Sequence, residues 1–322
     1  MICVISRNNP NNHPILKNIY NCIANTESRA ISPYLRKKFG MTFYLSNVNY
    51  NSSKYIVVDD PLAFIYAVKI LKISANKIIF YSLEMYEFQL ENSSLKNKIR
   101  NYLFKKTHHY SLRKASKVIF PSKLRKDYYQ KIRVKSDLIY NYPSETSFLI
   151  QEPSHKIISL LDKLKHSAQE IAVYAGSFQD GRNLSDFCKI AKNNPKIVFL
   201  LVGSYNEDDK QLNNIPANLY LLGRLQREEV NYIYSIVDIG ILYYANTPLN
   251  TKYCAPVKLW EYSYYELRII ANDNFALQHE WESHIDSFLN EEYRITKTDK
   301  PKTTCNKKFY ETEFNKYLQS IQ

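Results

Sequence analysis

Cysteine and long apolar runs are both scarce in this sequence, and each absence narrows the class of protein. The five cysteines among the 322 residues are scattered, odd in number and form no C-x-x-C pair. This usage disfavours a structural zinc site and indicates a reducing compartment. No apolar run reaches the roughly 18 residues that a membrane-spanning helix needs. The first residues, MICVISRNN, show no cationic leader before an apolar core, so we expect no signal peptide and a soluble or peripheral protein.

Acidic residues are few in the first half of the chain. Residues 1–145 contain 24 Lys and Arg against 9 Asp and Glu, whereas the remainder contains 20 against 22. Within residues 96–135, 14 cations accompany one acid, Asp127. We expect this basic segment to attract anionic surfaces over a Debye length of about 8–10 Å. Lipid headgroups, nucleic acid and a solvated face without a partner all remain open as interpretations of the charge alone.

The first half alternates β-branched runs with helical patterns. The runs occupy 2–6, 54–61, 77–82, 117–122 and 137–141, and helical spacing falls at 62–71, 99–112 and 124–132. Such alternation predicts a parallel sheet with right-handed crossovers. Residues 142–169 break the pattern and are interpreted as an interdomain linker with a helix at about 156–166.

The alternation resumes in the second half. Strands are predicted at 170–177, 196–204, 218–224, 238–244 and 268–273, with helices at 183–192, 226–236 and 257–265. One apolar face predicts a terminal helix over 307–321. We therefore expect an α/β protein with a first domain at 1–145, a linker at 146–168, a second domain at 169–304 and a C-terminal helix at 305–322.

Glycine is also scarce, yet three of the six glycines follow strands of the second half. Gly176, Gly203 and Gly223 each end a predicted strand. In open α/β sheets, ligands bind beyond the carboxyl ends of the strands, and glycine lets a ligand approach the backbone closely. The pattern favours a ligand site there over three ordinary tight turns.

The segment YCAPVKLWE, residues 253–261, predicts an anion site beside a diol site. Pro256 suits the first turn of a helix, and a helix N-terminus can bind a diphosphate. Lys258 on that first turn opposes the helix dipole, so a bound anion would offset a local cost. Glu261 can accept two hydrogen bonds from a vicinal diol such as a ribose. Phosphate and diol side by side indicate a nucleotide-sugar site.

The second half resembles the donor domain of GT-B glycosyltransferases, particularly glycosyltransferase family 4. The resemblance rests on segments 174–184, 199–204, 219–244 and 255–274, in the family's order and spacing. The first half resembles the family more weakly, in 80–87 and 115–128. The resemblance implies two facing Rossmann-like domains with parallel sheets and an interdomain cleft. The N-terminal domain would take the acceptor and the C-terminal domain a nucleoside-diphosphate sugar.

The resemblance also implies roles for individual residues. Glu261 is similar to the glutamate that holds the donor ribose, and Lys258 to a lysine near the diphosphate. Arg182 stands where the family usually has a cation facing the phosphates. The other substrate-binding residues that it implies are Gly176 and Ser177 beside the leaving phosphate, Ala255, Pro256 and Val257 at the diphosphate, Gly223 and Arg224 at the nucleobase, and Gly203, Ser204 and Tyr205 on the same rim.

Two positions depart from the family pattern. Tyr253 stands where many members have a first glutamate near the transferred sugar, and a phenol cannot supply that carboxylate's charge. Ser177 replaces the family's arginine. The charge of the phosphates would therefore rest on Arg182 and Lys258, with Arg224 as a further candidate.

Catalysis is expected to follow from charge. The donor diphosphate leaves as an anion, so Arg182 and Lys258 would act as catalytic cations that strengthen their hold as charge develops. No metal or other cofactor is then required. No D-x-D motif follows a strand in a suitable place, and the pairs Asp59-Asp60 and Asp208-Asp209 are interpreted as turn and loop acids.

An acceptor hydroxyl would need a base near the sugar. Glu84, which follows the strand at 77–82, is our candidate for the catalytic base, and a helix N-terminal carboxylate is the alternative interpretation. His108 and His109 lie in the basic helical stretch and are expected on the surface.

The sequence thus predicts a hexosyltransferase, of retaining type by resemblance, that moves a sugar from a nucleoside-diphosphate sugar to a glycan or lipid-linked acceptor in bacterial cell-surface polysaccharide synthesis, such as capsule or lipopolysaccharide. It would be cytoplasmic and peripheral on the inner face of the plasma membrane, bound to anionic lipid through 96–135 and not to nucleic acid. The alternative, motivated by Tyr253 and Ser177, is a non-catalytic GT-B-like subunit that binds a partner transferase or glycan.

Overall fold

The computed structural model describes residues 2–10, 13–27, 34–38, 40–46, 50–86, 94–132, 135–166, 170–176, 178, 183–205, 214–295 and 307–321. The chain divides into two compact units. Unit 1 comprises Met1–Ser144, Pro248–Ala255 and Lys308–Gln322, and unit 2 comprises Glu145–Thr247 and Pro256–Lys307. The segment interpreted as a linker falls in unit 2, and the terminal helix falls in unit 1. The domain limits expected from the sequence stay a prediction beside this division.

Unit 1 is built on a seven-stranded sheet of order β2-β3-β1-β4-β5-β6-β7. Its strands are β1 (Ile2–Ser6), β2 (Tyr34–Lys38), β3 (Met41–Leu45), β4 (Tyr55–Val58), β5 (Ile78–Tyr81), β6 (Lys117–Phe120) and β7 (Asp137–Leu138). β1 and β4 to β7 run parallel, as the alternation predicts. β2 and β3 form an antiparallel hairpin at the edge, which the sequence analysis missed. The reason is that β2 is exposed at every position and so shows no alternating apolar pattern.

Unit 2 is built on a six-stranded parallel sheet of order β10-β9-β8-β11-β12-β13. Its strands are β8 (Glu170–Ala175), β9 (Ile197–Val202), β10 (Leu219–Gly223), β11 (Ile239–Leu242), β12 (Arg268–Ala271) and β13 (Ser287–Phe288). β9 and β11 are buried along their whole length. Continuous burial is typical of parallel strands covered by helices on both faces, which is why these runs are apolar without alternation.

The helices of the described residues connect these strands. They are α1 (Pro14–Glu27), α2 (Pro61–Ile65), α3 (Leu95–Lys114), α4 (Lys123–Tyr128), α5 (His155–His166), α6 (Leu184–Asn193), α7 (Arg227–Tyr234), α8 (Leu249–Lys252), α9 (Val257–Tyr264), α10 (Phe275–His279) and α11 (Tyr310–Ser320). The helix expected over 62–71 is α2 followed by a π-helical turn, Tyr66–Ile70.

A glycine in β11 positions α9, the helix that carries Lys258 and Glu261. A Cβ atom built at Gly240 would lie 2.4 Å from the ring of Tyr262. Only glycine therefore lets α9 pack directly against β11 at this point. The contact fixes the depth at which Glu261, the neighbour of Tyr262, meets the carboxyl edge of the sheet.

Candidate functional site

A cavity of about 320 Å³ lies in unit 2 at the carboxyl ends of β8, β9 and β10. This is the edge at which open α/β sheets bind ligands. The residues lining it come from the strand ends and from α7 and α9: Ala175, Gly176, Val202, Gly203, Ser204, Arg224, Leu225, Arg227, Val230, Asn231, Tyr234, Lys258 and Glu261.

Two of the residues that line this cavity, Gly176 and Gly203, bring neighbouring strand ends close together. Gly203 has a φ of +150°, and a Cβ atom there would lie 1.8 Å from the carbonyl oxygen of Gly176. The amide of Gly176 donates to Val202 at 2.9 Å, and the amide of Gly203 donates to Gly223 at 2.8 Å. The three strand ends are thus held in register, and the backbones at Gly176 and Gly203 lie closer together than a Cβ at Gly203 would allow.

Glu261 is a buried carboxylate held between two cations. It is 2% exposed. Its Oε1 lies 2.6 Å from Nη2 of Arg227, and its Oε2 lies 2.8 Å from Nζ of Lys258. Burial alone would raise the pKa of Glu261, but the charges of Lys258 and Arg227 outweigh burial and hold the pKa below its ordinary value of 4.5. The carboxylate is therefore ionised at neutral pH.

Two helices place these three charges. Lys258 and Glu261 are one turn apart on α9, and Arg227 begins α7. The helices meet through the rings of Tyr234 and Tyr262, whose centroids are 5.3 Å apart. Nζ of Lys258 also donates to the hydroxyl of Tyr234 at 3.0 Å. This packing keeps both cations on the carboxylate and directs the group towards the cavity.

The segment after residue 145 secures α7. Nε of Arg227 donates to the carbonyl of Ser147 at 3.1 Å. The amide of Asn231 donates to the carbonyls of Ser147 and Leu149, each at 2.7 Å. Arg227 therefore links Glu261 to the chain segment that enters unit 2.

The structure brings six of the expected site residues to one cavity: Gly176, Gly203, Ser204, Arg224, Lys258 and Glu261. Gly223 and Tyr205 lie next to lining residues in the chain, Pro256 precedes α9, and Val257 is its first residue. Ser177 and Arg182 lie outside the described residues, so their roles stay predictions.

Tyr253 and Ala255 belong to unit 1 by their contacts. The carbonyl of Tyr253 accepts a hydrogen bond of 2.7 Å from Nε of Arg125, and its ring lies 5.4 Å from that of Tyr128. The carbonyl of Ala255 accepts from Asn141 at 3.2 Å. The contacts that the resemblance implies with the donor stay predictions for both residues.

Glu84 follows β5 in unit 1. Its carboxylate is 38% exposed and lies 3.8 Å from Nη1 of the buried Arg125. Its charge also acts on His13, whose pKa burial lowers and Glu84 partly restores. Glu84 is thus partly accessible, and its role as a base stays a prediction.

The expectation of a surface position is wrong for His108. This residue is fully buried, and its Nε2 lies 2.8 Å from the hydroxyl of Ser82. Its ring packs against those of Tyr86 and Tyr129, with centroids 5.4 and 5.1 Å away. His108 falls on the buried face of α3, a placement that the density of cations along this stretch conceals.

Sequence reasoning missed Arg227, Asn231 and Tyr234 as site residues. For Arg227 a signal existed, because it lies on the first turn of α7 as Lys258 lies on the first turn of α9, and a cation on a first helical turn opposes the dipole. Asn231 and Tyr234 read as ordinary positions of a short amphipathic helix. Only the packing of α7 against α9 brings them to the cavity.

Neither a membrane-spanning helix nor a metal-binding cluster occurs among the described residues. They contain no helix with the length and apolar character needed to cross a membrane. In the same part of the chain, no group of three or more His, Cys, Asp and Glu side chains is placed to hold a metal ion.

No protein-family model and no curated protein matches this sequence, but solved structures share its fold. Sucrose-phosphate synthase from Thermosynechococcus elongatus matches with a TM-score of 0.53 and 13% identity, over 84% of this chain and 64% of that one. This chain thus spans less than two thirds of the synthase. Anabaena HepE, solved with UDP-glucose, matches with a TM-score of 0.51 and 13% identity over 84% and 69%. WaaG, a glycosyltransferase involved in lipopolysaccharide biosynthesis, matches with a TM-score of 0.51 and 8% identity over 84% and 70%.

Structural matches at identities this low establish the fold and not the activity. The expected fold class is confirmed: the chain is an α/β protein with two Rossmann-like units, the fold of the GT-B glycosyltransferases.

Proposed function

We propose that this protein is a glycosyltransferase that binds a nucleoside-diphosphate sugar in the cavity of unit 2. The observation that carries the proposal is the ionised Glu261, which is held by Lys258 and Arg227. It lines the same cavity as Gly176 and Gly203. A fixed carboxylate can accept both hydrogen bonds of a ribose diol. The neighbouring cations suit the diphosphate that is attached to the same ribose.

The chemistry follows from that placement. The bond between the anomeric carbon and the diphosphate oxygen breaks, and the diphosphate takes the electron pair. The oxygen of an acceptor hydroxyl forms the new bond to that carbon and gives up its proton. Lys258, Arg224 and Arg182 would stabilise the charge that develops on it, and this defines a reaction without a metal. The backbone of Gly176 and Gly203 would let the phosphates approach the sheet closely.

For the acceptor, we propose Glu84 as the group that takes the hydroxyl proton. It is accessible at the carboxyl edge of the sheet of unit 1, where ligands of α/β units bind. A retaining outcome is the expectation from the family resemblance. The resemblance gives Tyr253 as a further substrate-binding residue, with a phenol in place of a carboxylate.

The wider role that we propose is cell-surface polysaccharide synthesis, with a glycan or lipid-linked acceptor. Two fold neighbours support this proposed role, since one was solved with UDP-glucose and another is involved in lipopolysaccharide biosynthesis. The basic segment 96–135 supports attachment to anionic lipid on the inner face of the plasma membrane.

Thermal-shift titration tests donor binding. UDP, GDP and UDP-glucose should be compared with and without EDTA, because a ligand of the native state raises the melting temperature with its concentration. We expect a shift from one nucleotide that EDTA leaves unchanged and that Glu261→Gln removes. The matched control is Glu292→Gln, a 65% exposed carboxylate paired with Arg294 in the same unit, which should respond like the wild type.

Equal shifts for wild type and Glu261→Gln would refute the site, and loss of the shift in EDTA would refute metal independence. Nucleotide binding without hydrolysis or transfer to any glycan acceptor would favour the alternative, a non-catalytic GT-B-like subunit. Its motivation is Tyr253, which stands where a carboxylate is expected.

A further inference from the structure

Helix α3 packs into unit 1 through one face. That face buries Asn101, Phe104, His108, Ser111 and Leu112. Residues three and four apart lie on the same side of a helix, so these five form one continuous strip. The position of α3 in unit 1 is therefore set by this strip, and the opposite side of the helix faces solvent.

The solvent side of the first turns of α3 carries large apolar side chains. Leu95 is 75% exposed, Ile99 53%, Tyr102 57% and Leu103 58%. Their spacing aligns them along one side of the helix, over about 12 Å at 1.5 Å per residue. We refer to these four residues as the α3 ridge. Single exposed apolar residues are ordinary, but a contiguous set marks an interaction surface.

Cations border the α3 ridge on both sides. At the helical period, Lys98 and Lys105 fall on one flank, and Lys96 and Arg100 fall on the other. All four are exposed, and α3 contains no Asp or Glu along its twenty residues. A partner for this surface must therefore offer negative charge on two sides and an apolar interior between them. An anionic bilayer has that profile, with phosphates at the surface and acyl chains just below.

We propose that the α3 ridge inserts into the boundary between headgroups and acyl chains of an anionic lipid bilayer, with α3 lying in the membrane plane. The inference deepens the membrane attachment included in the proposed function, and it does not depend on sugar transfer. The response to salt distinguishes insertion from attraction by charge alone. Binding by cations alone is screened away by salt, whereas an inserted apolar strip leaves a part that salt does not remove.

Vesicle cosedimentation of the full chain tests the ridge. Phosphatidylcholine vesicles with and without phosphatidylglycerol should be compared at low and high salt. We expect binding to the anionic vesicles, and a loss of about tenfold or more in partitioning for Ile99→Ser with Leu103→Ser, from the apolar area withdrawn from the membrane. The matched control is Leu149→Ser with Ile150→Ser, a pair that is 64% and 53% exposed in unit 2, which should bind like the wild type.

A tryptophan at the ridge reports insertion directly. The native Trp260 and Trp281 are 7% and 2% exposed, so an emission change in Tyr102→Trp on adding vesicles comes from position 102. We expect a blue shift with anionic vesicles and quenching by brominated acyl chains. Absence of the blue shift, or wild-type binding by the ridge variant, would overturn insertion and leave charge or an acidic protein partner as the account.

The two proposals can fail separately. Nucleotide thermal shifts of the ridge variant, measured without vesicles, should equal those of the wild type and also show that it is folded. A ridge variant that loses vesicle binding but keeps its nucleotide shift supports insertion. Vesicle binding that depends on the ridge would stand even if no nucleotide bound to unit 2.

Discussion

Different kinds of residue follow the strands at the carboxyl edges of the two sheets. In unit 1, β4 is followed by Asp59 and Asp60, and β1 is followed by Arg7. Nε and Nη2 of Arg7 each lie 2.8 Å from an oxygen of Asp60, and Asp60 also accepts from the amides of Leu62 and Ala63 as the N-cap of α2. In unit 2, glycine follows β8 and β9 and is the last residue of β10, and Gly176 and Gly203 line a cavity. Paired side chains therefore occupy the strand ends in the first case, whereas residues without side chains stand there in the second.

The buried carboxylates of the two units differ in the same sense. Asp59 has no exposed surface, and its hydrogen-bond donors include Asn8 at 3.1 Å. Burial, helped by the charge of Asp60, raises its pKa to about 7. Glu261 is buried to the same degree, but two cations keep its pKa below the ordinary value. Equal burial thus gives a proton-binding acid in unit 1 and a fixed anion in unit 2, because two cations lie in contact with the second.

The largest expected effect comes from substituting the glycine that follows β9 in unit 2. Gly203→Ala places a Cβ 1.8 Å from a carbonyl oxygen, so the backbone must move. We expect a loss of about 3 kcal/mol or more in the free energy of unfolding, from overpacking combined with an unfavourable φ. The rise in melting temperature on adding nucleotide should also be lost. Urea denaturation and thermal shift measure the two effects.

Gly223→Ala is the matched control for that comparison. Gly223 also has a positive φ, of +71°, but nothing lies within 4 Å of a Cβ built there. The expected cost is about 1–2 kcal/mol, from the left-handed backbone alone. If both substitutions cost the same, close approach of the strand ends does not account for the glycine at 203.

A smaller effect is expected from weakening the cations on Glu261. Arg227→Gln leaves Lys258 as the remaining cation and should cost about 1–3 kcal/mol, since one charged hydrogen bond to a buried group is lost. The 35% exposure of Arg227 places the value at the lower end. Nucleotide affinity should fall with it, because Glu261 is held less firmly.

Arg268→Gln provides the contrast within the same unit. Arg268 pairs at 3.0 Å with Glu170, which is 50% exposed, so we expect a cost under about 1 kcal/mol and unchanged nucleotide affinity. Similar costs for the two arginines, read from urea midpoints, would mean that the buried carboxylate gains nothing special from Arg227.

The last effect concerns the dependence of stability on pH, which has opposite signs in the two units. Folded unit 1 keeps the proton of Asp59 up to about pH 7, whereas the unfolded chain releases it near 3.8. Stability should therefore fall as pH rises from about 4 to about 7. Asp59→Asn should flatten that slope and add on the order of 1 kcal/mol at pH 8, since a buried charge is relieved.

Glu261 acts in the other direction. Its lowered pKa gives a contribution that is complete above 4.5 and is lost as pH falls below that value. Glu261→Gln should flatten the acid limb and leave the slope between pH 4 and 7 intact. Unfolding midpoints across pH 3–8 for both variants check the assignment, and a single variant that altered both limbs would contradict it.

Much of the fold could be predicted because its signals are local. The apolar runs that become β8, β9 and β11 are buried on both faces, so their apolar composition predicts buried strands. The hairpin of β2 and β3 could not be predicted, since the residues of β2 are exposed and show no alternating apolar pattern. His108 was misplaced for a similar reason: its burial depends on Ser82 and three aromatic rings supplied by other elements.

The sequence by itself determined the α/β class, the glycines at three strand ends, and the placement of Lys258 and Glu261 one turn apart, because each depends on spacing within one element. Tertiary structure alone decided that Arg227, 34 residues away, completes the cluster, and that Tyr253 and Ala255 side with unit 1. The physical reason is that charge pairing across helices depends on how α7 and α9 pack on a common sheet. Sequence spacing fixes faces within an element, but packing between elements fixes which faces meet.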